Sequence, residues 1–179
     1  DFSLAKYYDT PGYKDVLFYG VTDKSVQERP AGIISGEAKK YLKDVCGKDD
    51  PWCCFVSLPE PHDPFVTGEE AFSLYNTDEI ELYPNVHDEL ASRPGIYKKA
   101  ARVWKDMTDK EHREAAACYY ASITEIDSCF GQLIDLVDNS DTDRDTVIIM
   151  TTDHGELLGS HGLYCKNFTN LYLPKYYKY

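Results

Sequence analysis

Apolar and polar positions along the chain follow two rhythms, separated by stretches with neither. From Ile33 to Val45, the residues Ile34, Ala38, Tyr41, Leu42 and Val45 recur at spacings of three and four between Glu37, Lys39, Lys40 and Lys43, which predicts an amphipathic helix ended by Gly47-Lys48-Asp49-Asp50-Pro51. The same rhythm returns more strongly after Thr108, where Thr108 and Glu111 form the Ser/Thr-x-x-Glu pattern of a capping box. Beyond it Tyr119, Ile123, Ile126, Phe130, Leu133, Ile134 and Val137 share one helical face, and the polar run 138–145 is the exit. Two short runs are nearly continuous instead of periodic. Residues 52–58 (WCCFVSL) stop at Pro59 and Pro61, and residues 146–152 (TVIIMTT) are dense in β-branched side chains, so both predict strands, the second buried on both faces. Val16-Leu17-Phe18-Tyr19, between turn signals at Pro11-Gly12 and Pro30, predicts an edge strand. Residues 59–108 hold no sustained period and read as a loop excursion lining the surface, not a second core. A helix followed by a buried strand, twice over, implies one α/β layer with a largely parallel sheet.

Composition narrows the classes of partner. With 42% hydrophobic and 28% charged residues in 179, the chain has the makeup of a folded domain. A formal charge of −12 argues against nucleic acid and anionic membranes as partners, because both demand basic surfaces. An anionic substrate would need a local positive site. Cys46, Cys53, Cys54, Cys118, Cys129 and Cys165 form no Cys-x-x-Cys pair, which argues against structural zinc; they read as free buried thiols or as disulfide partners in an oxidising compartment.

In open α/β sheets, ligand sites gather beyond the carboxyl ends of strands. Two predicted strands here run into chemically loaded loops. Asp153-His154, at the end of the second, offers a carboxylate oxygen and an imidazole nitrogen that either form half a metal site or only cap a turn, with Gly155 permitting the turn. Lys166 is either a solvated turn residue or a point charge for an anionic group. His161 reads as a second-sphere partner, a substrate contact or a loop residue. His62, held between Pro61 and Pro64, is either a turn residue or a rigidly placed general acid.

Taken together and in order, the segments FVSLPEPHDPF, CYYASITEIDSCFGQLIDLV and TVIIMTTDHGELLGSHGLYCK resemble the sulfatase family of the alkaline phosphatase superfamily over about residues 30–170. The branch is the one holding choline-sulfatase, iduronate-sulfatase-like proteins and phosphonate monoester hydrolases. The resemblance implies an alkaline-phosphatase-like three-layer sandwich with a mostly parallel sheet. It also implies metal ligation by Asp153 and His154, a sulfate grip by Lys166, and a His62 that approaches the sulfate and its bridging oxygen, with His161 as a further substrate contact. The implied cofactors are a divalent cation (Ca2+, with Mg2+ or Mn2+ in some relatives) and a formylglycine made from Cys or Ser. The implied partner is a sulfated small molecule or glycan.

Residues 1–179 contain neither the family's Cys/Ser-x-Pro/Ala-x-Arg nucleophile motif nor a recognisable acidic pair to complete the metal site. On this basis residues 1–179 are expected to be an internal segment of one sulfatase catalytic domain, inactive alone, with the nucleophile upstream of Asp1 and a further region downstream. A phosphonate monoester or phosphodiester hydrolase is the enzymatic alternative, and a catalytically silent binder of sulfated glycans the non-enzymatic one. The Asn167-Phe168-Thr169 sequon adjoins Lys166 and reads as a chance match.

Overall fold

The computed structural model describes residues 1–10, 13–140 and 145–166. The sequon and the Pro11-Gly12 turn lie outside them, as does part of the polar exit at 138–145. Three strands form one sheet in the order β1-β2-β3: β1 is Phe2–Thr10, β2 is Tyr13–Thr22 and β3 is Phe65–Gly68. The main helices are α1 (Pro30–Val45), α2 (Glu69–Phe72), α3 (Gly95–Ala101) and α4 (Asp109–Asp138).

The α/β class holds, and the sheet is mixed, not mostly parallel. β1 pairs antiparallel with β2, whereas β2 pairs parallel with β3, Tyr19 opposite Phe65 and Thr22 opposite Gly68. The run Val16 to Tyr19 therefore lies in the central strand rather than at an edge. Phe18, Tyr19 and Phe65 are almost wholly buried there, and Phe18 meets Phe65 and Tyr164 at ring-centroid distances of 5.4 and 4.8 Å.

α4 begins where its capping box predicts. The Thr108 hydroxyl accepts from the Glu111 amide at 3.3 Å, and the Glu111 carboxylate accepts from the Thr108 amide at 2.8 Å. Its first half turns a face of small residues, Ala115, Cys118, Ala121 and Ser122, into the core, which lets the sheet approach closely. The predicted apolar stripe is core in part: Tyr119 meets Phe65 at 5.3 Å and Leu133 is buried with Leu42 and Cys46, while Ile123 is exposed; Ile126 and Ile134 line a groove of about 970 Å³ with residues from 52–66 and 146–156. α1 starts three residues earlier than its apolar period, because Pro30 supplies the fixed φ favoured in a first turn. Gly32 is required at its position: a Cβ there would lie 2.1 Å from the Val26 carbonyl oxygen.

Neither predicted buried strand forms. Residues 52–58 and 146–152 take no ladder partners among the described residues, and Phe55, Val147 and Ile149 are 88%, 83% and 80% exposed. Cys53 is exposed as well, against the expectation of a buried thiol; all six cysteines are free. An apolar run marks backbone that is suited to burial, but a strand also needs a neighbour for its N–H and C=O groups. The excursion 59–108 departs in the opposite direction. It supplies β3, α2 and α3, and Leu90 and Tyr97 form a second small core with Leu157 and Leu163. Sparse anchors without a period escaped the pattern reading.

Candidate active site

Two loops carry the chemistry. The first, Pro59 to Pro64, is tied at both ends: the His62 amide donates to the Pro59 carbonyl at 3.0 Å, the Glu60 carboxylate accepts from the Ala31 amide in the first turn of α1, and Phe65 is fully buried. The Glu60–Pro61 and Asp63–Pro64 peptide bonds are cis. His62 is about two-fifths exposed, with Nδ1 at 2.8 Å from the Asp63 carbonyl oxygen and 3.1 Å from its carboxylate.

The second loop runs from Thr152 to Lys166. The Thr152 hydroxyl donates to the His154 carbonyl at 2.8 Å, and His154 Nδ1 lies 2.8 Å from the Gly155 carbonyl oxygen. This leaves His154 Nε2 at 3.7 Å from the Asp153 carboxylate. Leu158, Gly159, His161, Gly162 and Cys165 all have positive φ, so the chain coils tightly on itself, at a cost of roughly 1 kcal/mol or more for each non-glycine residue. Partly buried Glu156 offsets this by accepting from the amides of Leu158 (3.1 Å) and Cys165 (2.5 Å). Burial pushes the Glu156 carboxyl above the usual range, against the lowering effect of those amides.

The fold brings the loops together. The rings of His62 and His154 lie edge to face with centroids 5.9 Å apart. Burial first, and the neighbouring carboxylates of Asp63 and Glu156 next, push the Cys165 thiol far above its ordinary pKa. Lys166 follows it and is exposed. Tyr8 of β1 packs against the core cluster that holds Tyr164 and Cys165, and burial first pushes its hydroxyl up to about 12.

His161 is placed differently. It is buried, with Nδ1 at 2.6 Å from the Asp88 carboxylate, and it holds that carboxyl below the usual range. Asp63, Glu156 and Asp88 were missed in the sequence, although Asp63 stands inside the Pro-x-x-Pro frame of His62. Glu156 had a recognisable signal too, as an acid beside glycines with unpaired loop amides near it.

Tyr164, in the same loop, is hydrogen-bonded to His112 of α4 at 2.6 Å. Burial and the neighbouring His87 hold His112 below the ordinary imidazole range, against the opposing carboxylates of Asp109 and Glu111. The unfolded chain therefore takes up this proton first, and stability falls as pH drops below about 6.5. Urea unfolding should show this loss, at most about 1.4 kcal/mol per pH unit, and His112→Gln should flatten it.

Asp153 and His154 suit a shared divalent ion in part. A carboxylate oxygen and an imidazole nitrogen 3.7 Å apart can each approach one cation, but no cluster of three His, Cys, Asp or Glu that could hold a metal ion occurs among the described residues.

The small mixed sheet under helices makes an α/β fold similar to that of an alkaline-phosphatase-like hydrolase. The crystal structure of phosphonate monoester hydrolase of Agrobacterium radiobacter matches 82% of this chain and 31% of its own with a TM-score of 0.70 and 25% identity. The family model described as Sulfatase matches residues 5–177, and the chain belongs to the sulfatase family. Choline-sulfatase of Rhizobium meliloti is 31% identical over 93% of this chain and 36% of its own length. Iduronate 2-sulfatase of Mus musculus is 26% identical over 73% and 26%. The chain thus spans about a third of the length of the curated relatives it matches, or less.

Proposed function

We propose that the protein hydrolyses sulfuric esters, with His62 and Lys166 acting on the substrate and Asp153 and His154 forming part of a divalent-metal site. The reading is carried by the meeting of His62 and His154 from distant loops in a chain of the sulfatase family. In the full-length protein the surrounding fold is proposed to be a three-layer sandwich. The substrate class is a sulfated small molecule or glycan, the former supported by the likeness to choline-sulfatase.

A bound divalent cation supplies polarisation of the sulfate oxygens, and a formylglycine hydrate supplies the attacking oxygen. None of the six cysteines stands in a Cys-x-Pro/Ala-x-Arg sequence, so none is the formylglycine precursor. Calcium is the cation that the family implies, with magnesium or manganese as alternatives. The imidazole in the donor set weighs against calcium, which favours oxygen ligands. Asp63 engages Nδ1 of His62, leaving Nε2 to donate a proton to the departing alcohol oxygen. Lys166 balances charge on the non-bridging oxygens in a region crowded with the carboxylates of Asp63, Asp153 and Glu156. His161 serves substrate binding indirectly, by anchoring the loop through Asp88.

The same parts would serve a phosphonate monoester hydrolase, a reading favoured by the matched crystal structure. Rates on an aryl sulfate and an aryl phosphonate, measured with the metal-stripped full-length protein after adding back each cation, separate the two. The expected result is metal-dependent turnover with the sulfate preferred; preference for the phosphonate would replace the sulfatase reading.

A further inference from the structure

We propose that Glu156 is a positioning residue whose carboxylate clamps the loop from Glu156 to Cys165 and thereby sets where Lys166 enters the site. The inference rests on the reading of Lys166 as the anion-holding residue. Both amides that the clamp captures, Leu158 and Cys165, donate to the same oxygen, Oε1, so one acceptor joins the start of the coil to its end. The span from Leu158 through Cys165 holds five residues at positive φ, both ends included, and bonds of the coil, Gly159 amide to Leu163 carbonyl at 2.8 Å and Ser160 amide to Leu157 carbonyl at 2.8 Å, do not reach Cys165. Beyond the clamp, the residue next to Cys165 is Lys166. The one side chain therefore couples the Lys166 backbone to the loop that carries His154. Glu156 itself lines the groove beside both histidines.

Because a single oxygen with two lone pairs accepts both amides, an amide side chain can replace the carboxylate. In the full-length protein, Glu156→Gln should keep kcat/KM for an aryl sulfate within about threefold of wild type. Glu156→Ala should lower it about 10- to 100-fold through kcat, as a misplaced Lys166 would. In a Lys166→Ala background, the further loss from Glu156→Ala should shrink to less than about threefold. Equal losses in both backgrounds, or Glu156→Gln as damaging as Glu156→Ala, would overturn the proposal in favour of a general structural role. Hydrogen exchange at the Cys165 amide reads the clamp without turnover: it should accelerate in Glu156→Ala while global melting changes little. If wild type turns over neither sulfate nor phosphonate esters, the functional reading falls, and unchanged Cys165 exchange in Glu156→Ala would sink the clamp as well.

Discussion

Lys166→Ala in the full-length protein should lower kcat/KM for sulfate esters by about 100- to 1,000-fold, the range expected when one preorganised donor to developing negative charge is removed. The reason is electrostatic balance. The groups gathered around the two histidines are carboxylates, those of Asp63, Asp153 and Glu156, and the chain as a whole carries −12. A sulfate entering that field depends on local cations, and Lys166 is the cationic side chain at the end of the loop. Loss of its charge should be felt in kcat more than in KM, because charge on the oxygens grows toward the transition state. His62→Ala is expected to cost about 100-fold or more, as for a general acid. Its cost should depend on the leaving group: large for an alkyl sulfate, whose alcohol must be protonated, and small for a nitrophenyl sulfate, whose phenolate departs unaided. Unchanged turnover in both variants, with folding intact, would remove these residues from the mechanism.

Glu125→Ala should destabilise the fold by about 3–5 kcal/mol, the cost of stranding a buried charge. Glu125 on α4 is ion-paired with Arg29 at the start of α1, and both side chains are almost fully buried. Its other bonds are to β3: the Thr67 hydroxyl and the Gly68 amide each donate to it at 3.1 Å, while Arg29 donates to the Val66 carbonyl at 3.1 Å. One carboxylate thus joins two helices and the strand that follows the His62 loop. Against a typical stability of roughly 5–15 kcal/mol, such a loss is a large fraction of the whole. The informative control removes both charges. Arg29→Met with Glu125→Leu should recover much of the loss, since neither partner is then left buried and unpaired. Urea unfolding measures both variants against wild type, and a Glu125→Ala cost below about 1 kcal/mol would mean that the pair is solvated.

Helices were the legible part of the fold, because their signals are local. The capping box at Thr108 and Glu111 and the three-to-four spacing through α4 depend only on neighbours in sequence, and the helix begins within a residue of where they place it. The sheet was less legible. The runs 52–58 and 146–152 have the composition of buried strands, yet neither is paired here, while the four-residue β3, in a stretch with no period, is paired. Strand formation is decided by what lies alongside, and composition records only suitability for it.

The candidate site divides along the same line. His62, Asp153, His154 and Lys166 stood out because prolines, glycines and chemically loaded side chains cluster in two short segments. Asp63, Glu156 and Asp88 did not, since each acts through a partner that the sequence does not identify. Residue types, the capped start of α4 and the identity of two loaded loops were determined by sequence alone. Only the tertiary structure decided that His62 faces His154, that Glu156 ties the amides of Leu158 and Cys165 and that Asp88 takes His161, the last pair 73 positions apart. Local geometry follows from torsional and capping preferences a few residues long, whereas those meetings follow from how the core packs Phe18, Phe65 and Tyr164 together.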